Sequence, residues 1–150
     1  MAMQFLDARD EAVQEFLWQH LMPQDIRHDY TRADALAWVI AQVHAGEQWL
    51  VGDLQARLVF RCVVRNPRVI EPHIMGDPAR LRSLLPEALA LAWNRGIERV
   101  MVWTQYRVIA RIVSRLGFTH EATITRAHLV EGELLDLHIL ILEKPACPTP

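Results

Sequence analysis

Glu71 and His73 stand two residues apart in "RVIEPHIM", residues 68–75. In a strand, alternation puts both side chains on one face. A carboxylate and an imidazole side by side suit proton abstraction. A base whose pKa lies near neutrality serves that best at physiological pH. Histidine needs little tuning for that, whereas a glutamate needs burial to raise its pKa. The structural alternative makes Glu71 a rim carboxylate or ion-pair partner and His73 a core histidine bonded to backbone. The next residues, "GDPARLRSLL" (76–85), read as a tight turn into a helix. A phosphate-cradling loop often lies at such a junction, but this one has a single glycine, Gly76. Asp77 can cap the helix and Pro78 suits its first position. A capping carboxylate competes with a phosphate for the same N–H groups and repels its charge. Arg80 and Arg82 offset that charge or simply extend into solvent.

The other polar side chains carry less chemistry. His128 and His138 lie on the last two strands and could face each other, but a metal site needs a third converging ligand and none is evident. His120 joins them on that hairpin. His20, His28 and His44 fall at helix ends or in a loop, where solvated side chains are the rule. Cys62 and Cys147 make neither a metal spacing nor a disulfide framework, so two reduced thiols are expected. The five tryptophans (18, 38, 49, 93 and 103) read as core, with Trp38 and Trp93 on apolar helix faces.

The elements that must position these residues follow from periodicity. The chain has 150 residues, 51% of them apolar, and a formal charge of −2. That suits one compact domain, residues 1–143, with a Pro-rich tail at 144–150 expected to be disordered. No basic excess or stripe with interleaved aromatics argues for nucleic acid. The N-terminus lacks the basic and apolar regions of a signal peptide, and no apolar run is long enough to span a bilayer. A cytoplasmic location is therefore expected.

"MQFLD" is a short strand, and Asp10 caps a helix over "EAVQEFLWQHLM", ended by Pro23. A second helix covers "RADALAWVIAQVHAG", with Gly46 at its end. The strands "QWLVG", "RLVFRCVV" and "RVIEPHIM" follow, the last two joined at the turn "RNP". A helix over 78–95 stops at Gly96. In it Pro86 either kinks the mid-helix or marks the true start after an irregular loop. "RVMVWTQ" is a continuous apolar strand, "RVIARIVSRLG" a fourth helix, and "HEATITRAHLV" with "LLDLHILIL" a final hairpin. A strand–helix–strand unit makes a right-handed parallel pair, and the meander and hairpin are antiparallel. The expected fold class is α/β, a single mixed, mostly antiparallel sheet with helices on both faces.

That order, with "RLGFTHEATITRAHLVEGELLDLHILIL" (115–142) and "LALAWNRGIERVMVWT" (89–104), resembles the GCN5-related N-acetyltransferase (GNAT) superfamily over roughly residues 48–142. The Leu116-Gly117-Phe118 triplet between helix and strand is the local mark. The resemblance implies an acyl-CoA N-acyltransferase fold in which the strands "RVIEPHIM" and "RVMVWTQ" splay apart at one end. Pro72, which has no N–H, fits a splay, or else an edge strand. It implies acetyl-CoA as co-substrate, with pantetheine against Ile74, Met75 and Gly76. The pyrophosphate would lie on the 77–82 turn (Ala79, Arg80, Leu81, Arg82), with Tyr106 nearby. It implies Glu71 or His73 as the base and a small-molecule or protein amine as acceptor.

The sequence departs from the family in two places. The family's phosphate loop runs Arg or Gln, two residues, Gly, one residue, Gly or Ala. Counting back from Gly96 puts Gly76, Ala79 and Leu81 at those positions, and a start at Arg80 puts Ser83 and Leu85 at the small ones. The family's Asn and Tyr positions hold Tyr106 and Val113; Val113 cannot transfer a proton, and Ser114 beside it is a weaker stand-in. Glu-x-His on this strand is also similar to small phage-encoded GNAT-like proteins, which makes a catalytically silent binding or structural protein, virion-associated and with protein partners, the alternative. The apolar last hairpin offers a surface for a homodimer.

Overall fold

The computed structural model describes residues 3–21 and 31–146. The expectations for Pro23, His28 and Cys147 concern residues outside that set. The elements are β1 (Gln4–Phe5), α1 (Glu11–His20), α2 (Arg32–His44), β2 (Gln48–Asp53), β3 (Leu58–Asn66), β4 (Val69–Gly76), α3 (Leu81–Asn94), β5 (Arg99–Thr104), α4 (Arg107–Arg115), β6 (Thr119–Val130) and β7 (Glu133–Glu143). Seven strands form one sheet in the order β1-β2-β3-β4-β5-β7-β6. Every pairing is antiparallel except β4 with β5. This is the mixed α/β sheet that the periodicities predict.

Helices cover both faces. Val13, Phe16 and Leu17 of α1 and Ala35 and Val39 of α2 pack on Leu50, Val59 and Met75. On the opposite face Leu81, Leu84, Leu85, Ala88 and Ala92 of α3 and Val113 of α4 pack on Val51, Phe60, Cys62, Ile70, Val100 and Val102. Strand alternation sorts the two sets: odd positions of β3 and β4 face α1 and α2, and even positions face α3 and α4. Burial of Cys62 pushes its thiol up to about 12.

Side-chain caps start α1, as expected, and α2, whereas α3 and α4 have none. Asp10 accepts from the Ala12 N–H, and Thr31 and Asp34 form a capping box on α2. The predicted 78–95 helix opens instead with a 3₁₀ turn, Pro78–Arg80, before α3. Pro86 lies inside α3 rather than at its start. Its missing N–H removes one helical bond, and its exposed ring faces away from the apolar contact. Residues 144–146 follow β7 without regular structure, although the Lys144 N–H donates to the Glu98 carbonyl at 2.7 Å. No helix among the described residues is long and apolar enough to cross a membrane.

Three sequence expectations about side chains are corrected. Trp18 is 40% exposed rather than core, with the Arg32 guanidinium over its ring. His128 and His138 are not cross-strand neighbours, because a wide bulge between Ile124 and His128 shifts the register. His128 pairs with Leu135, and His138 with Thr123. His120 approaches His138 instead, and the Thr123 hydroxyl bridges the two rings at 2.8 and 3.2 Å. His20 is not simply solvated either: it stacks on Phe16 and its Nδ1 donates to the Phe16 carbonyl.

Candidate active site in the gap between two parallel strands

The parallel ladder of β4 and β5 contains only two pairs, Val69 with Arg99 and Ile70 with Val100. Beyond Ile70 the strands separate. Pro72 falls where the ladder would continue and has no N–H to give it. β4 stays paired with β3 through Gly76, and β5 with β7 through Thr104, so neither strand frays. The outcome is the splay that the resemblance implies.

A cavity of about 260 Å³ occupies the gap. Its walls include Pro72, His73, Ile74 and Met75 from β4, Val102, Trp103 and Thr104 from β5, Gln105 and Tyr106 beyond it, Ile109 of α4, and Arg61 of β3. An adjoining groove of about 540 Å³ shares Ile74, Gln105, Tyr106 and Ile109 and reaches Gly76, Pro78, Arg107 and Val108. Tyr106 is the N-cap residue of α4, 56% exposed, with its backbone N–H bonded to the Thr104 hydroxyl.

Glu71 and His73 do meet. The Nε2 of His73 lies 3.3 Å from Oε1 of Glu71. Glu71 is 5% exposed, and its other oxygen accepts from Nε of Arg65 at 2.7 Å and from an Nη of the same guanidinium. Burial alone would raise its pKa; the hydrogen bonds from His73 and Arg65 outweigh that and hold the carboxyl below its ordinary value. The burial that would have tuned Glu71 as a base is present, but the hydrogen bonds from His73 and Arg65 keep the group an anion. Arg65 reaches Glu71 from a β-bulge, where the β3–β4 register shifts between Val64 and Asn66.

Three site residues escaped the sequence reading. Arg61 pairs with His73 across β3 and β4, is 2% exposed, and donates to the Gln48 side chain at 3.2 Å. An arginine inside the apolar run "LVFRCVV" was the available signal. Trp103, assigned to the core by its strand, lines the cavity, and its buried indole N–H has no acceptor among the described residues. Arg65 lies over its ring at 5.8 Å. Only the fold brings Trp103 and Arg65 together, and no local pattern announces it.

The turn after β4 behaves differently from a phosphate loop. The Asp77 carboxylate accepts the Ala79 N–H at 2.9 Å, as its capping role predicts. The Asp77 N–H donates to the Arg57 carbonyl, the Arg80 N–H to the Asp77 carbonyl, and the Leu81 N–H to the Pro78 carbonyl. Leu81 itself is fully buried in the core. Ala79, Arg80 and Arg82 are exposed and line neither the cavity nor the groove. Gly76 has φ +101°, and a Cβ there would lie 2.0 Å from the Arg57 carbonyl oxygen. Its glycine is therefore required by the β2–β3 turn packed against it. Val113 is buried in the core and Ser114 is exposed, so neither faces the cavity. Among the described residues, no three His, Cys, Asp or Glu side chains are placed to hold a metal ion.

No family model matches the chain, and no curated protein matches it by sequence. Solved structures do. The spermidine/spermine N-acetyltransferase SpeG of Vibrio cholerae superposes with TM-score 0.74 at 14% identity, over 95% of this chain and 93% of that one. The yncA protein of Salmonella typhimurium, solved with its cofactor acetyl-CoA, gives TM-score 0.69 at 20% identity over 99% and 96%. A Chromobacterium violaceum protein assigned to the GNAT family of acetyltransferases gives 0.65 at 19% over 94% and 86%. With the β4–β5 gap in the middle of its single mixed sheet, the chain has the fold of the GNAT acetyltransferases.

Proposed function

We propose that the protein is an N-acyltransferase that moves an acetyl or similar acyl group from a thioester of the acyl-CoA class to a primary amine. The observation that carries the reading is the Arg65–Glu71–His73 chain, whose His73 end lines the β4–β5 gap. An anionic Glu71 can only accept, so the proton of the neutral His73 ring sits on Nε2. The Nδ1 lone pair is then free to take a proton from the incoming ammonium group. His73 is the base in this account, and Glu71 is the residue that fixes its tautomer and orientation.

The amine nitrogen, once neutral, attacks the thioester carbonyl carbon; as the C–N bond forms the nitrogen gives up a second proton to water in the groove, which leaves the amide. The C–S bond breaks and the thiolate leaves with the electron pair. A thiolate is an adequate leaving group without an acid in contact, and water in the open groove returns a proton to it. Tyr106, exposed at the rim, packs beside the donor with Ile74 and Met75 of β4. An amine acceptor also agrees with the substrates for which SpeG is named.

Thiol release from acetyl-CoA, measured over a panel of primary amines that includes spermidine, tests the roles. His73→Ala should lower the rate about 100-fold or more, the usual range for losing a general base. Tyr106→Phe should change it less than about threefold, because solvent supplies the proton in this account. Unchanged rates in both His73→Ala and Glu71→Gln would discard the pair.

A second reading has its own support. The self-bonded turn at Asp77 and the core position of Val113 fit a GNAT-fold protein that binds a partner and transfers nothing. In that reading no acyl thioester binds the gap, which separates the two by ligand binding alone.

A further inference from the structure

From Asp77 to Leu81, no backbone N–H is available to a ligand. Asp77 donates to the Arg57 carbonyl at 2.8 Å. Pro78 has no N–H. Ala79 donates to the Asp77 carboxylate, Arg80 to the Asp77 carbonyl, and Leu81 to the Pro78 carbonyl. Anions bind helix starts because free N–H groups point at them and the helix dipole favours negative charge. Here a carboxylate of the chain already occupies that position, and it would stand against any pyrophosphate brought to it. Arg80 and Arg82 are exposed, where single charge contacts contribute little at physiological salt. The other half of the site is open: the β4–β5 gap keeps its cavity, apolar on Ile74, Met75, Val102 and Ile109 and polar at His73 and Thr104.

The geometry points to a donor recognised through its acyl-pantetheine arm alone, with Asp77 excluding the adenosine diphosphate half of CoA from the turn. This inference rests on the acyltransferase reading above and narrows its donor. The arm enters between the strands, and the nucleotide end stays in solvent. Asp77 is then a specificity-determining residue: it makes the protein indifferent to what lies beyond the pantetheine.

Calorimetric titration of the full chain with three probes tests this without any acceptor: S-acetyl-pantetheine, S-acetyl-4′-phosphopantetheine and acetyl-CoA. The expected result is binding of all three with dissociation constants within about tenfold, or about 1.4 kcal/mol, of one another. Asp77→Ala, which frees the Ala79 N–H and removes the charge, should tighten acetyl-CoA at least about threefold relative to S-acetyl-pantetheine. A wild-type preference for acetyl-CoA beyond tenfold overturns the inference and leaves the acyltransferase reading standing. An unchanged ratio in a folded Asp77→Ala overturns the role of Asp77. Binding of none of the probes overturns the acyltransferase reading, and this inference with it.

Discussion

Glu71 is the residue on which the site turns, and its chemistry was half visible in advance. Spacing placed it beside His73, and the two do touch. Its anchoring by Arg65 depends on a bulge that no sequence pattern marks. The hydrogen bonds from His73 and Arg65 together reverse the effect of burial, so Glu71 is a held anion rather than a tuned base. The sign of the pH dependence follows. A carboxyl whose folded pKa lies below its unfolded value adds stability above the unfolded value, near 4.3. That contribution is lost as pH falls through the lower folded pKa. Glu71→Gln should therefore lower stability at pH 7 by about 1.5–3 kcal/mol, the scale of charge-assisted hydrogen bonds. The wild-type and variant curves should converge below about pH 4, as read by urea denaturation. Cys62 gives a second residue-scale check: with its thiol at about 12 and no exposure to speak of, it should resist alkylation at pH 8 in the native state and react after unfolding. Rapid native labelling of Cys62 would contradict its packing between β3 and α3.

At the scale of elements, the strand half and the turn half of "IEPHIMGDPARLRSLL" proved unequally legible. Alternation and Pro72 gave the strand, its face and its splay, because those are local properties of the chain. Asp77-Pro78 gave a capped start, and the cap is there. The reason for Gly76 was not readable, because its constraint comes from the Arg57 carbonyl, nineteen residues away in sequence. Gly76→Ala should cost about 1–3 kcal/mol or more, since it combines a positive φ with a backbone clash. A thermal melt checks it, and a midpoint near wild type would mean that the β2–β3 turn gives way easily. The helix opens with one 3₁₀ turn that the sequence does not mark, since Pro78 sets φ for either helix type. The histidines of the last hairpin were mispaired for a related reason: a bulge is a register event, and register is set between strands rather than along one.

At the scale of the molecule, the element order carried the architecture, and one mixed sheet between two helix pairs was legible from periodicity and connection lengths. The site was less so, because the cavity is made by what two strands fail to do beyond Ile70, and its walls come from β3, β4, β5 and α4 together. In the proposed reading the β4–β5 gap holds the thioester and His73 takes the proton; fold likeness alone assigns neither. The central claim is that the gap binds an acyl thioester, and it needs no acceptor to be tested. The thermal midpoint of the full chain should be followed as acetyl-CoA rises to about 10 mM. A ligand that binds only the folded state at a hundred times its dissociation constant adds about 2.7 kcal/mol, or about 5–10 °C for a domain of this size. The account predicts a midpoint that climbs with concentration by several degrees. A flat midpoint across that range would contradict it.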